Sequence, residues 1–368
     1  MALRSSRHRA IIGFLLSIAL PFSVGCAVQN QSANVIEEPA LRSISPFPIG
    51  SSIRYLPFQK DLRLQSLQKL HFSSYTAGSD MKMHQVMPKE NSFDFSVVDS
   101  IVQHTEDYDQ RLFGHNLIWH SSTPTWVKNK AKKNPEWLAS FMREYIHEYV
   151  GRYRGKVHGW DVVNEGLKTA GSGYRTDSIW YETLGPQYIE MAFRYAHEAD
   201  PDAVLFYNDF NLERDLDKFE SMMSIVRDFQ SREVPISGIG FQMHIRMDIP
   251  NSIIAETLKR AADTGLQIHL SEVDIIFNTH DDSRGGGIQR FDTLTPEMRG
   301  AQKKKYYDLV TIYRKVVPES QQYGITFWGF NDRDTWIRRF FDMQDWPTIY
   351  DDNLAPKPAF WGVVEALD

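Results

Sequence analysis

Two glutamates carry the chemistry that this chain offers. Glu165 lies near the end of WDVVNEG (160–166), and Glu272 sits in HLSEVDI (269–275), each closing a β-branched, strand-like stretch. Either one alone reads as a solvated strand end or as half of a buried ion pair. Set face to face, they form the pair that glycosidic cleavage needs: a protonated carboxyl for the leaving oxygen and a carboxylate for the cation-like carbon. Polar and aromatic residues recur at the ends of the other strand-like stretches: Asp80 and Lys82, His115 and Trp119, Asn164, Asn208 and Asp209, Gln242 and His244, Asp274, Trp328 and Asp332. Helix capping explains any one of these positions but not the recurrence.

Competing chemistries find less support. His115, His120, His244 and His280 show neither HExxH nor close Cys/His spacing, which leaves only an irregular site built from separate loops; no catalytic metal and no cofactor are expected. Serine-based acyl transfer lacks its GxSxG turn. Phosphate binding lacks both GxGxxG and GxxxxGK; SRGGGI (283–288) follows no strand directly and reads as a flexible loop in an extended segment after the seventh strand.

The elements that must position these residues alternate along the chain. Strand candidates fall at 47–53, 71–77, 111–119, 157–163, 203–209, 236–242, 266–273 and 323–329. Between them lie helical stripes. The segment 135–153 has apolar residues at 138, 141, 142, 145, 146, 149 and 150, and 185–200 repeats the pattern. Eight strands with intervening helices predict an α/β fold, a (β/α)8 TIM barrel forming a single catalytic domain over 46–368, with a doubly wound open sheet as the alternative. In a barrel the C-terminal strand ends converge on one face, where the residues above would meet.

Composition narrows the partners. A chain of 368 residues with 42% hydrophobic content can bury a large core, and its net charge of −6 leaves no surplus of cations for nucleic acid. Nine Trp and sixteen Tyr exceed what a core needs, leaving some to offer flat apolar faces to a ligand, of which a sugar is one kind. Arg4, Arg7 and Arg9 precede IIGFLLSIALPFSV, an apolar run that matches a signal peptide and is too short to span a bilayer. The single cysteine, Cys26, follows in SVGC, similar to a bacterial lipoprotein cleavage and lipidation site. Residues 1–26 are therefore expected to direct export and anchor the mature chain to a membrane through lipid on Cys26, with 27–45 as a flexible tether. The alternative is an ordinary signal peptide cleaved nearby, giving a secreted protein. A monomer is expected.

Taken together, WDVVNEG, HLSEVDI, GHNLIWH (114–120), FYNDFN (206–211), GIGFQMH (238–244), ITFWGFNDRDTW (325–336) and the closing LAPKPAFWGV resemble glycoside hydrolase family 10, the endo-β-1,4-xylanases. The resemblance runs from about residue 46 to the end. It implies a retaining, double-displacement cleavage of internal β-1,4 bonds in xylan, with carboxyl groups about 5 to 5.5 Å apart. By position, Glu165 matches the acid/base, Glu272 the nucleophile, and His244 and Asp274 the groups that orient the nucleophile and keep it ionised. Asn164 matches the group that bonds the sugar 2-hydroxyl. Lys82, His115, Trp119 and Gln242 match the lining on the non-reducing side, and Trp328 and Trp336 match aromatic walls over the sugar at the cleavage point.

One stretch departs from the family. Where its members read ENEMKW, this chain has GSDMKM (78–83): Lys82 is kept, while Gly78, Ser79 and Met83 replace Glu, Asn and Trp. A decorated or mixed-linkage xylan, or another β-glycan, is the alternative substrate that this opening implies. A glycan-binding lipoprotein without turnover is the alternative of another class, and the retention of Glu165, Glu272, His244 and Asp274 together argues against it.

Overall fold

In the computed structural model, which describes residues 38–280 and 287–368, eight parallel strands close on themselves. They are β1 (Ile49–Ile53), β2 (Ser74–Ala77), β3 (Arg111–Trp119), β4 (Val157–Asn164), β5 (Val204–Asp209), β6 (Gly238–Phe241), β7 (Gln267–Ile276) and β8 (Gln322–Phe327). Each pairs with the next, and β8 returns to pair with β1 through Ile49 and Ile325. Closure leaves no open edge of the kind a doubly wound sheet keeps, so the architecture is the (β/α)8 barrel. All eight expected strands are present, most of them shorter at one or both ends. A three-residue continuation of β6, His244–Arg246, pairs with the far end of β7.

Helices sheathe the barrel as the apolar stripes require. Helix Trp137–Arg152 buries Leu138, Phe141, Met142, Tyr145, Ile146, Tyr149 and Val150, the same positions that its periodicity marks. Helix Tyr188–Ala199 buries Tyr188, Ile189, Ala192, Phe193 and Ala196. At the N-terminal end of the barrel, Phe113, Phe206 and Tyr323 pack with His269, the Phe206 and Tyr323 ring centroids 4.5 Å apart. This apolar plug leaves polar side chains to fill the opposite end.

Two boundaries need correction or comment. The expected tether over 27–45 ends too late: the compact unit begins at Pro39, Leu41–Ile44 forms a helical turn, and Leu41 is 0% exposed within the core. Burying that leucine is worth about 2 kcal/mol, which a free tether would forgo. The signal peptide, Cys26 and residues 27–37 lie outside the described residues, as do 283–286 of SRGGGI. The flanks of that segment are ordered: Gly287–Ile288 pairs antiparallel with Thr279–His280, and Asn278 Oδ1 accepts the backbone N–H groups of Arg290 and Phe291.

Candidate active site

At the C-terminal mouth of the barrel a cleft of about 1080 Å³ opens, and both glutamates line it. Asn164 ends β4, and Glu165 follows in the left-handed region with φ 57°. A strand would send neighbouring side chains to opposite faces. The left-handed turn instead puts both Asn164 and Glu165 into the cleft, at a local cost of about 1–2 kcal/mol for a residue with a Cβ. That conformation is held from two sides. The Glu165 N–H donates to the Asn208 carbonyl at 2.9 Å, and its own carbonyl accepts Arg175 Nε at 3.2 Å.

Glu272 sits deeper, on β7, only 5% exposed. Asn208 Nδ2 donates to its Oε1 at 3.0 Å and, at 2.8 Å, to Asn164 Oδ1. Ser271 Oγ fixes that amide by donating to Asn208 Oδ1 at 2.6 Å. Asn164 Nδ2 and Gln242 Nε2 reach Glu165 Oε1 at 3.4 and 3.3 Å, so a run of amides joins the two carboxyl groups. Asn208 fits between them because its partner across the ladder is Gly240: a Cβ there would stand 2.3 Å from Asn208 Oδ1.

Charge separates the two glutamates. His244 Nε2 lies 3.4 Å from Glu272 Oε2, and its Nδ1 lies 3.0 Å from Asp274 Oδ2. Burial opposes the imidazolium, but the Asp274 and Glu272 carboxylates outweigh it and raise the His244 pKa to about 10. Burial likewise opposes ionised Glu272; His115, His244 and Lys82 outweigh that, and its pKa falls below the ordinary glutamate value. Asp274 is fully buried and does not line the cleft. It pairs with His244 and also accepts Trp336 Nε1 at 2.8 Å, so its carboxylate bears on the cleft through those two rings rather than directly.

The other residues that the resemblance places around the sugar line the same cleft, namely Lys82, His115, Trp119, Gln242, Trp328 and Trp336, whereas the strand-end residues Asp80, Asp209 and Asp332 do not: Asp80 accepts the Tyr55 N–H, and Asp209 and Asp332 are buried against Lys218 and Lys357. Lys82 Nζ lies 4.5 Å from the Trp119 ring centroid and 5.9 Å from that of Trp328. Gln242 does more than line a subsite, since it donates to Glu165 and Asn164. His115 Nδ1 pairs with Asp161 Oδ2 at 2.8 Å; burial foremost, with the nearby Glu272 charge, pushes the Asp161 pKa up to about 6. Asp161, Asn208, Ser271 and Arg175 escaped the sequence reading as site residues. Asn208 stood among the strand-end polar residues, and that was the signal available; Asp161 lay inside WDVVNEG itself. Among the described residues, no three His, Cys, Asp or Glu side chains gather as a metal site would require.

A closed barrel whose mouth holds two glutamates in unlike electrostatic settings, walled by tryptophans, is a barrel of the glycoside hydrolase class. The family model "Glycosyl hydrolase family 10" matches residues 42–366, and the chain belongs to that family. It is 35% identical over 367 residues to the endo-beta-1,4-xylanase Xyn10C of Cellvibrio japonicus, covering 94% of this chain and 60% of that relative's length. It is 35% identical over 365 residues to a beta-1,4-xylanase of Dictyoglomus thermophilum, covering 97% and 99% of the two. Among solved structures, a mutant of the Cellvibrio japonicus xylanase 10C in complex with xylopentaose superposes with a TM-score of 0.84 at 35% identity, over 89% of this chain and 69% of that one.

Proposed function

We propose that the protein is a retaining endo-β-1,4-xylanase in which Glu272 is the nucleophile and Glu165 the acid/base. The observation that carries this reading is the unequal setting of the two carboxyl groups: Glu272 lies against His115, His244 and Lys82, whereas the Glu165 carboxylate bonds to the Asn164 and Gln242 amides and shares only Lys82 of those three cations. In the first step a Glu272 oxygen bonds to the anomeric carbon while the glycosidic bond breaks and Glu165 gives its proton to the departing oxygen. Glu272 thereby loses its negative charge, and Glu165 gains one. In the second step Glu165 takes a proton from water, whose oxygen displaces Glu272 and restores both groups. Asn208, bonded to Glu272 and to Asn164, holds the nucleophile in register with the amide expected to meet the sugar 2-hydroxyl. Relatives named as xylanases support xylan as the substrate. The test is covalent trapping with a 2-fluoro xylobioside. Wild type should gain the mass of the sugar on Glu272, and Glu272→Gln should not; labelling elsewhere, or inverted product by proton NMR, refutes the assignment.

Gly78 favours a second substrate reading, a decorated or mixed-linkage xylan or another β-glycan. It lines the cleft, and a Cβ placed there would meet Ser52 Oγ at 2.8 Å, a side chain that can rotate aside. Gly78→Glu should shift the ratio of rates toward linear xylan, and an unchanged ratio rejects this reading. Export and anchoring through Cys26 complete the proposal, supported by the basic and apolar order of residues 4–24 and by SVGC. Cys26→Ala should move activity from the membrane fraction into the soluble one, and activity that stays with the membrane counts against it.

A further inference from the structure

Beyond the cleavage site, the cleft wall carries a charge that nothing in the reaction uses. Helix Trp336–Phe341 forms part of that wall, and Trp336 packs on His244 with ring centroids 4.9 Å apart. Its arginines divide by partner. Arg338 is tied down, donating to the Asp345 carbonyl and pairing with Asp352. Arg333, just before the helix, pairs with Asp61 and Asp334, and Arg175 is held by Glu165, Thr169 and Asp177. Arg339 lines the cleft, is exposed, and has no hydrogen bond, ion pair or aromatic partner among the described residues. Beside it Phe340 lines the cleft at 51% exposure, its ring 5.4 Å from that of Trp336. An apolar ring and an unspent guanidinium stand together within one helical turn of the tryptophan that abuts His244.

A neutral β-1,4 glycan has no use for a guanidinium, whereas a carboxylate does. On a chain of net charge −6, an anionic substrate is repelled at long range unless a local cation meets it. Flat aromatic faces suit the CH face of a pyranose. We infer that Arg339 and Phe340 form a subsite for an acidic branch of the glycan, with Arg339 pairing to the carboxylate of a uronic acid substituent and Phe340 stacking on its ring. This subsite makes acid-branched xylan a preferred substrate, and it rests on the reading of the cleft as xylan-cleaving. Arg54 also lines the cleft, exposed and without a hydrogen-bond or ion-pair partner among the described residues, but it acts on Asp80, whose carboxylate it favours electrostatically. That leaves Arg339 the better placed cation for a substrate anion.

The experiment compares kcat/KM for a xylooligosaccharide bearing one glucuronic acid branch with kcat/KM for the same compound after reduction of that branch to glucose, which keeps its size and removes its charge. The readout is the ratio of the two. Wild type should favour the acid about three- to fivefold, as an exposed ion pair allows, and ~0.5 M NaCl should erase most of that preference. Arg339→Ala should bring the ratio to about one, and Arg339→Glu should take it below one, because repulsion replaces attraction. Phe340→Ser should lower both rate constants together. Arg54→Ala should keep the wild-type ratio. A wild-type ratio near one, a ratio unmoved by Arg339→Glu, or a ratio lost in Arg54→Ala and kept in Arg339→Ala overturns the inference. Linear xylohexaose separates the two levels: cleavage of it without charge discrimination sinks this subsite alone, and no cleavage of it or of either branched compound sinks the xylanase reading as well.

Discussion

Replacing His244 by asparagine should move the acidic limb of the pH–rate profile upward. The imidazolium, with its pKa near 10, stays charged across the working range, and its Nε2 lies 3.4 Å from Glu272 Oε2. At an effective dielectric of about 20, two unit charges at that separation attract by about 5 kcal/mol, a ceiling of roughly three and a half pKa units on Glu272. Three effects reduce it: the asparagine amide still donates, water enters the vacated volume, and Lys82 and His115 remain. One effect works the other way, since Asp274 loses its counter-ion and its negative charge then acts on Glu272. The expected net rise in the Glu272 pKa is about 1–2 units. A nucleophile must be ionised to attack, so activity that wild type keeps below the ordinary glutamate pKa is lost in the variant, and the limb rises with it. The assay is kcat/KM on linear xylohexaose from about pH 3 to 9, which reports the free enzyme, together with the pH dependence of fluorosugar inactivation, which needs Glu272 ionised. Asp274→Asn should instead leave the acidic limb in place or move it slightly downward, because His244 is protonated at that pH with or without Asp274 and Glu272 then no longer shares it with a second carboxylate. An acidic limb in His244→Asn within about 0.3 unit of wild type, or displaced downward, would refute the electrostatic account of the nucleophile.

Further outcomes follow from the same geometry. Glu165→Ala should lose about 10²–10⁴ in rate on xylan, yet far less on a dinitrophenyl xylobioside, whose leaving group needs no proton; equal losses on both would remove Glu165 from the acid role. Lys218→Met should destabilise the fold by about 3–5 kcal/mol in urea titrations, because it strands the fully buried Asp209, whose Oδ1 lies 2.7 Å from Lys218 Nζ. Glu213 is 0% exposed, neither of its carboxyl oxygens bonds to another of the described residues, and burial raises its pKa. An acid whose folded pKa lies above its unfolded one stabilises most at low pH and loses that contribution as pH rises through the folded value. Glu213→Gln should therefore gain Tm relative to wild type increasingly from acidic to alkaline buffer, and a difference independent of pH would count against ionisation of that buried group.

Much of the fold was legible because parallel strands buried on both faces must be apolar or β-branched, and because the helical stripes mark their own buried faces. The stripe on Trp137–Arg152 matched position for position. What escaped depended on departures from strict alternation. Asp161 and Asn164 are three apart on β4, a spacing that places side chains on opposite faces of a regular strand. A β-bulge between Asp161 and Val163 shifts the register against β5, so Asp161 can meet His115 while Asn164 meets Asn208. Bulges and left-handed turns at residues with side chains leave little trace in composition, and Glu165 and Met243 both adopt the latter. The tether's end was misjudged for a simpler reason: one buried leucine in a polar stretch carries no periodicity.

Gly240 contributes no side chain to the cleft, yet it bears on whether this chemistry can be moved elsewhere. The space it leaves beside Asn208 admits the amide that bonds Glu272 and Asn164 at once. A transplant of the two glutamates and their ion partners onto another barrel that omitted this sixth-strand glycine would carry the catalytic groups without the joint between them. In that sense the portable unit is four adjacent strands, β4 to β7, rather than a set of side chains, and a missing methyl group on one of them belongs to the design.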